Sequence, residues 1–357
     1  MDADDSTTPP EPGAPALGRW SRLGLATLPI LVLLLALWAI RIPYFVLEPG
    51  QAQDVAPLIH ISGHPTYPSQ GHLMMTDVSF FQPNTYEAIA AWVNPHDHLV
   101  REDELLAPGQ NTGQYIQQGL SQMDASKIDA TVVALTHEVG YPKNHGPGVL
   151  IESVLPDAPA TNKLFPGDLV THVNGKVVDS VDQVSTAIKS AGYGGTVIFT
   201  VEAGGRTRTV RVSPGHVRYE ISPGQFQTIP GPAIGVTMIA NFPFDVTISS
   251  QGIGGPSAGL MWALGITNEI SPGDLTGGRT IAGTGEIAVN GDVLPIGGVQ
   301  QKVVAAEAAH ATVFFVPVAN ADDAAAVASG ITLVPVKTFT DAMDWLQQHP
   351  AGSTAGG

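Results

Sequence analysis

Ser257 lies in a glycine-rich segment, Gly252–Leu260, that follows a predicted buried strand over residues 244–249. The glycines allow a sharp backbone turn, and Pro256 suits the first turn of a helix, where its missing N–H would have no partner. The sequence therefore predicts Ser257 at the start of a helix, beside free N–H groups and the positive end of the helix dipole. The predicted oxyanion loop comprises Gly255, Pro256 and Ala258.

A serine hydroxyl is a weak nucleophile until a base takes its proton, and Lys302 is the predicted base. It lies near the first turn of a predicted helix, with valines around it. Burial and the positive helix end both disfavour the ammonium form, which lowers the pKa of a lysine as a lysine base requires. The alternative is a serine esterase with a nucleophile elbow and a histidine base, either His310 or His349. The loop Gln251–Gly255 argues against it, because an elbow places its serine directly after the strand.

Two further candidate sites are interpreted as non-functional. Ser126 and Lys127 are neighbours in a predicted helix, 112–135, so their side chains point to different faces and form no dyad. His96 and His98 could share one face of an extended segment, but no third ligand lies nearby. We therefore expect a solvated loop there, and neither a metal nor another cofactor in the protein.

Composition limits the class of protein. The chain has 357 residues, of which 43% are hydrophobic and 13% charged, with a formal net charge of −16. That length and hydrophobic content predict two or three domains with real cores. The acidic balance argues against nucleic acid as a partner. The sequence has no cysteine, which excludes disulfides, thiolate catalysis and cysteine-ligated metals.

The N-terminal region predicts a membrane anchor. Residues 1–22 are interpreted as a cytoplasmic tail and residues 23–42 as a transmembrane helix. The run Leu23–Ile40 is uncharged, and at ~1.5 Å per residue its helix would just span the hydrocarbon core. Arg19 and Arg22 precede the run, which places the N-terminus in the cytoplasm and the rest outside. A cleaved signal peptide is the alternative, although no Ala-x-Ala site follows the run.

Residues 141–215 form a different module. A glycine-led strand over 146–154, a hairpin at Asn174-Gly175, a helix capped by Ser180 and a last hairpin around Gly204-Gly205 follow in order. With the motifs APA, LFPGDLV and VNGKVV, this order resembles a PDZ domain of the bacterial type. The resemblance implies a peptide bound as an added strand beside Val149–Glu152. The residues expected to line that groove are Gly146, Gly148, Val149, Leu150 and Ile151.

The segments GPSAG (255–259), TGE (284–286) and VLPIGGVQQK (293–302) resemble, in order and spacing, the proteolytic domain of the Lon peptidase family. The resemblance implies that Ser257 is the nucleophile, that Lys302 is the general base and later the acid, and that Thr284 orients the lysine. The chain departs from the family at Gly254, where Lon proteases usually carry an acidic residue. It also lacks a GxxxxGK[ST] phosphate loop, so we expect no ATP-driven unfolding.

Together these features predict an α+β fold, in which a Lon-type proteolytic domain is interrupted by an inserted PDZ-like domain and preceded by one transmembrane helix. Residues 43–140 and 216–349 would form one body, and residues 350–357 a C-terminal tail. The expected function is a membrane-tethered, ATP-independent serine endopeptidase that cleaves extracytoplasmic peptides or unfolded segments. A non-catalytic PDZ adaptor on a Lon-like scaffold is the alternative. The resemblance also implies a homo-hexamer as a candidate assembly.

Overall fold

The computed structural model describes the backbone of residues 19–222 and 225–350. The strands are β1 (Tyr44–Asp54), β2 (Ile59–Ser62), β3 (His72–Phe81), β4 (His98–Arg101), β5 (Gly146–Val154), β6 (Leu169–Val173), β7 (Lys176–Val177), β8 (Val197–Ala203), β9 (Arg206–Val212), β10 (Arg218–Ser222), β11 (Gln225–Thr228), β12 (Val236–Asn241), β13 (Asp245–Ile248), β14 (Thr280–Gly283), β15 (Glu286–Ile287), β16 (Val293–Leu294), β17 (Val313–Pro317) and β18 (Thr332–Val336). The helices are α1 (Arg19–Ala39), α2 (Thr85–Val93), α3 (Glu102–Leu105), α4 (Thr112–Val139), α5 (Val181–Ala191), α6 (Gly259–Ile270), α7 (Val299–Ala308), α8 (Ala321–Ala325) and α9 (Phe339–Gln348).

Strands from both ends of the chain share one six-stranded sheet, in the order β18-β17-β14-β3-β1-β4. We call it the body sheet. β14 lies parallel to β3 on one side and to β17 on the other. β1 is antiparallel to both β3 and β4. Because β3 precedes the middle module in sequence and β14 follows it, the module is an insertion into this body.

Helix α6 is the centre of the body. Residues 259–266 of α6 are apolar around the whole circumference, a pattern typical of a fully buried helix, and Leu260, Trp262 and Leu264 are 0% exposed. These residues share a core with α4 residues such as Met123 and Leu135. A second core lies around α7, where Val303 packs with the β17 residue Phe314. The two cores position α6 and α7, the helices that carry or follow the predicted catalytic side chains.

The inserted module has its own sheet, ordered β12-β5-β6-β8-β9, with β7 paired to β6. We call it the module sheet. The α5 residues Val184 and Ile188 cover it, and pack with Phe199 and Val201 of β8 in a separate core. The predicted boundary at 215/216 is wrong for β12, which follows the boundary in sequence but pairs with β5.

Two N-terminal expectations are only partly covered by the structure. The predicted anchor, residues 23–42, overlaps α1, but the side chains of residues 19–27 lie outside the described part. Among the residues that the structure describes, no helix combines the length and apolar character needed to cross a membrane. The expected tails, residues 1–18 and 351–357, also lie outside the described residues.

β13 precedes Gly252–Leu260, which we call the serine segment, and it differs from its prediction. The β-branched run over 244–249 was expected to be buried, but β13 alternates between exposed and partly buried positions. β13 forms a two-stranded ribbon with β2 instead of entering the body sheet. One face of the ribbon, including Val246 and Ile248, packs against the core around α6. A strand covered on one face only alternates in this way.

Gly259, the first residue of α6, provides a test of this packing. An added Cβ would lie 2.7 Å from Cγ2 of Ile287 and 2.8 Å from Oγ of Ser126. We expect Gly259→Ala to lower the free energy of unfolding by about 1–3 kcal/mol, the usual cost of overpacking a core. Denaturant unfolding measures this. The control is Gly330→Ala, where nothing lies within 4 Å of the added atom. Equal stability of the two variants would contradict the close approach of α6 to α4 and β15.

Candidate active site

The structure brings Ser257, Lys302 and Thr284 together. Nζ of Lys302 lies 2.6 Å from Oγ of Ser257 and 3.2 Å from Oγ1 of Thr284. It also donates a hydrogen bond of 3.0 Å to the carbonyl oxygen of Thr76 on β3. The amine is therefore held at three points, by the segment before α6, by the segment after β14 and by the body sheet.

The hydrogen bonds around Thr284 define which groups donate. Its hydroxyl donates to the carbonyl oxygen of Ser257 at 3.0 Å, so Oγ1 is left to accept from the lysine. The carbonyl of Thr76 is acceptor-only and takes a second N–H. A neutral Lys302 has two N–H donors, and both are then used. Its lone pair remains for the hydroxyl proton of Ser257, the arrangement that a general base requires.

Burial favours the neutral form of the lysine. Lys302 is 3% exposed, and its desolvation lowers the pKa to about 8, although the nearby carboxylate of Asp77 acts in the opposite direction. Asp77 lies on β3 next to Thr76, and accepts a hydrogen bond from the backbone N–H of Gln51 at 2.6 Å. The environment thus keeps a substantial fraction of neutral amine near physiological pH, which an exposed lysine would not have.

Ser257 lies in the turn immediately before α6, two positions earlier than the helix itself begins. Its side chain is partly buried. Within residues 19–222 and 225–350, the N–H groups of Ser257 and Ala258 meet no acceptor. They are therefore available, beside the helix N-terminus, to a developing negative charge. Of the predicted oxyanion loop, this retains Ala258. Pro256 has no N–H, and the N–H of Gly255 is bonded elsewhere.

Two hydrogen bonds hold the serine segment against α4. The N–H of Gly255 donates to the carbonyl of Gly119 at 2.7 Å, and the buried hydroxyl of Ser126 donates to the carbonyl of Pro256 at 2.9 Å. Lys127, which follows Ser126, pairs with Asp124, so the two side chains have different partners. The structure shows that Ser126 positions the serine segment, which sequence spacing could not reveal because Ser126 and Pro256 are 130 positions apart.

The same contact explains the departure at Gly254. An added Cβ there would lie 3.0 Å from the carbonyl carbon of Gly119 and 3.2 Å from the N atom of Leu120. The backbone of α4 therefore occupies the space that a side chain would enter. With this approach of the two backbones, an acidic residue at position 254 would push the serine segment away from α4.

Two carboxyl groups face each other where the module sheet meets α4. Burial, and then the charge of Glu152 on β5, raise the pKa of Asp129 on α4 to about 8. Burial also raises the pKa of Glu152 and of Glu286, two residues after Thr284. Near neutral pH the Asp129–Glu152 pair therefore retains a proton that two exposed carboxyl groups would have lost. No sequence pattern indicated this pair.

The histidine alternatives are not supported by the geometry. The ring of His349 hydrogen-bonds the carbonyl of Trp345 at 2.8 Å and stacks on the indole. His310 follows the end of α7, while the side chain that contacts Oγ of Ser257 is that of Lys302. In the part of the chain that the structure describes, no group of three or more His, Cys, Asp or Glu side chains could hold a metal, and His96 and His98 belong to no such group.

The predicted peptide groove beside Val149–Glu152 is wrong. β5 carries all five predicted groove residues, but it is paired with β6 on one side and with β12 on the other. The N–H of Gly148 is also bonded to Asp179. The free edge of the module sheet on this side is β12 (Val236–Asn241). β12 lies outside the continuous PDZ-like pattern of the sequence, so that pattern could not indicate this edge.

Comparisons with known proteins agree with this two-part architecture. The family model of the Lon protease (S16) C-terminal proteolytic domain matches residues 249–346, and that of the PDZ domain matches residues 130–213. The chain contains a Lon-type proteolytic domain and a PDZ domain. The Lon-type match includes Ser257, Thr284 and Lys302. Both Thr76 and Ser126 lie outside it, as β12 lies outside the PDZ match.

Among its relatives, Lon protease 2 of Bacillus subtilis (strain 168) is 37% identical over 110 residues, which are 30% of this chain and 20% of that protein. The Lon protease of Roseiflexus castenholzii is 44% identical over 69 residues, 19% of this chain and 8% of that protein. The matched segments span one fifth or less of these relatives. A solved PDZ domain of an SdrC-like protein from Listeria monocytogenes is 26% identical and covers 26% of this chain and 90% of that chain, with a TM-score of 0.22.

The pKa of Lys302 provides a test of its predicted role as base. In that role the neutral amine accepts the proton, so kcat/KM for peptide hydrolysis should rise with pH, with an apparent pKa near 8. Asp77→Asn removes a negative charge that favours the ammonium form, so the pKa of Lys302 falls. The rise of kcat/KM with pH, which is the acidic limb of the pH profile, should then move to lower pH. Asp103→Asn, at an exposed carboxylate paired with Arg101, is the control. An unchanged limb in Asp77→Asn would contradict this electrostatic contact.

Proposed function

We propose that the protein is a serine endopeptidase in which Ser257 is the nucleophile and Lys302 the general base. The observation that carries the proposal is the contact of 2.6 Å between Nζ and Oγ, made by a lysine that is 3% exposed. The presence of a Lon-type proteolytic domain supports the same reaction class.

In the acylation step, Oγ of Ser257 attacks the peptide carbonyl carbon while its proton passes to the neutral Nζ of Lys302. The N–H groups of Ser257 and Ala258 stabilise the oxyanion. The lysine ammonium then gives its proton to the leaving amine as the C–N bond breaks. In deacylation Lys302 takes a proton from water, whose oxygen attacks the ester, and the proton finally returns to Ser257. Thr284 and the carbonyl of Thr76 keep the amine in place throughout.

The substrates we propose are peptides, unfolded segments or exposed tails, cleaved without nucleotide. The absence of a phosphate-loop motif from the sequence supports this, since no ATP-driven unfolding step is then expected. We also propose that the apolar run Leu23–Ile40 tethers the protein to a membrane, with the N-terminus in the cytoplasm and the catalytic domain outside. The charge pattern of Arg19 and Arg22 supports that orientation.

For the PDZ domain we propose peptide recognition at β12. β12 is the edge strand of the module sheet, and its residues Val236 and Met238 pack on the same core as Val184 and Ile188 of α5. An extended peptide added to this edge would lie between a strand and a helix, so that main-chain hydrogen bonds give affinity and side-chain contacts give selectivity. β12 leads through β13 into the serine segment, so the strand that binds the substrate would lie close in sequence to Ser257.

Hydrolysis of dye-quenched casein by the full chain, without nucleotide, tests the peptidase proposal. We expect Ser257→Ala and Lys302→Met each to lower kcat/KM by roughly three orders of magnitude or more. Lys127→Met, which makes the same change at the lysine paired with Asp124, should retain activity. Activity in Lys302→Met with loss in Ser257→Ala would indicate another base. No cleavage by any form would favour the non-catalytic adaptor.

Hydrogen exchange tests the proposed peptide edge. Saturating peptide with a free C-terminal carboxylate should slow amide exchange in residues 236–241, because the outward N–H groups of β12 gain acceptors. The opposite edge strand, β9 (Arg206–Val212), serves as the internal control and should not change. Protection at β9, or peptide binding without protection of β12, would contradict the proposal.

A further inference from the structure

Helix α2 exposes an apolar face that we call the α2 outer face, formed by Tyr86, Ile89, Trp92 and Val93. These side chains are 40%, 56%, 78% and 70% exposed, respectively. On a helix of 3.6 residues per turn they fall within an arc of about 120°. The opposite face carries Ala88 and Ala91, which are buried at 9% and 4% exposure. A large apolar face left open beside a buried one indicates contact with a partner or a lipid surface.

Three contacts tie α2 to the end of α1. The guanidinium of Arg41 forms an ion pair of 2.6 Å with Glu87, which is also the capping-box residue of α2. The N–H of Ile42 donates to the carbonyl of Pro83 at 3.0 Å. The hydroxyl of Tyr86 donates to the carbonyl of Leu34 at 3.3 Å. The first turn of α2 therefore lies alongside the last turns of α1.

The exposed surface of α1 continues the α2 outer face. Leu31, Leu33, Leu35 and Trp38 are between 54% and 65% exposed. The sequence places no charged residue between Leu23 and Ile40. The charged group of Arg41, at the end of this run, is paired with Glu87. The two helices thus present one uncharged apolar surface, with aromatic side chains, Tyr86, Trp38 and Trp92, where α1 ends.

We propose that the α2 outer face lies in the interfacial region of the lipid bilayer that anchors α1. This inference rests on the tether proposed above. Tryptophan and tyrosine favour this region because their rings are apolar and their N–H or O–H groups reach water. The segment after the helix, Asn94–His98, is polar and largely exposed, as a segment leaving the interface must be. A lipid surface fits better than a protein partner because the face is continuous with the apolar run.

The contact would hold the catalytic domain at a defined distance from the membrane. The loop after α2 reaches α7, where the side chain of Gln301 donates to the carbonyl of His96 at 3.3 Å. Gln301 is 5% exposed and precedes Lys302. The membrane-facing helix is therefore one loop away from the helix that carries the base, so cleavage would take place close to the membrane surface.

The absence of cysteine from the sequence allows a direct test with single labels. The full chain carrying Val93→Cys, Val177→Cys or Leu31→Cys is labelled with an environment-sensitive fluorophore and reconstituted into phosphatidylcholine vesicles containing spin-labelled lipid. Val177, on β7, is the matched control, since it is a valine at 73% exposure compared with 70% for Val93. We expect blue-shifted emission and loss of most fluorescence at positions 93 and 31, and neither effect at position 177.

The outcomes separate this inference from the tether. Quenching at position 31 without quenching at position 93 would overturn the contact of α2 with lipid and leave the tether intact. No quenching at either position would overturn both. A blue shift at position 93 that depends on protein concentration and resists spin-labelled lipid would assign the α2 outer face to a second copy of this chain.

Discussion

The placement of one desolvated amine governs the rest of this structure. Lys302 is buried where its ammonium form is disfavoured, and two fixed acceptors, the carbonyl of Thr76 and the hydroxyl of Thr284, take its N–H groups. Only the direction towards Ser257 remains for its lone pair. Because a buried lysine with unpaired N–H groups would be costly, the sheet and helices must hold these acceptors within hydrogen-bonding distance. The parallel pairing of β14 with β3 does this by bringing Gly283 level with Met75.

Close approach between backbones is the second constraint. The serine segment comes close to α4 because position 254 is glycine, and α6 comes close to α4 and β15 because position 259 is glycine. These contacts hold the N–H groups before α6 in place without a side chain between them. The candidate active site is therefore positioned by α4, which comes before the inserted PDZ domain, as much as by the Lon-type segment that carries Ser257.

The PDZ domain and the catalytic body are joined by more than a linker. β12 completes the module sheet and then continues towards the serine segment, and the hydroxyl of Tyr141 donates to the carbonyl of Ala240 on β12 at 2.6 Å. At the same junction, the Asp129–Glu152 pair holds a proton between α4 and β5, since burial disfavours two adjacent carboxylates. The proposed peptide edge and Ser257 thus lie in neighbouring parts of one chain.

The sequence by itself determined the local chemistry. Ser257 and Lys302 were found from glycine, proline and lysine patterns within short segments, and Thr284 from the resemblance of its segment to the Lon family. Helix α5 was predicted from its cap, Ser180. Spacing and capping are local, so a single sequence reveals them. Only the tertiary structure decided that β12 fills the edge of β5, that Ser126 and Thr76 support the site, and that Asp129 meets Glu152. Each of these joins residues far apart in the chain, and which edge, carbonyl or carboxyl group is nearest depends on how the sheets and helices pack.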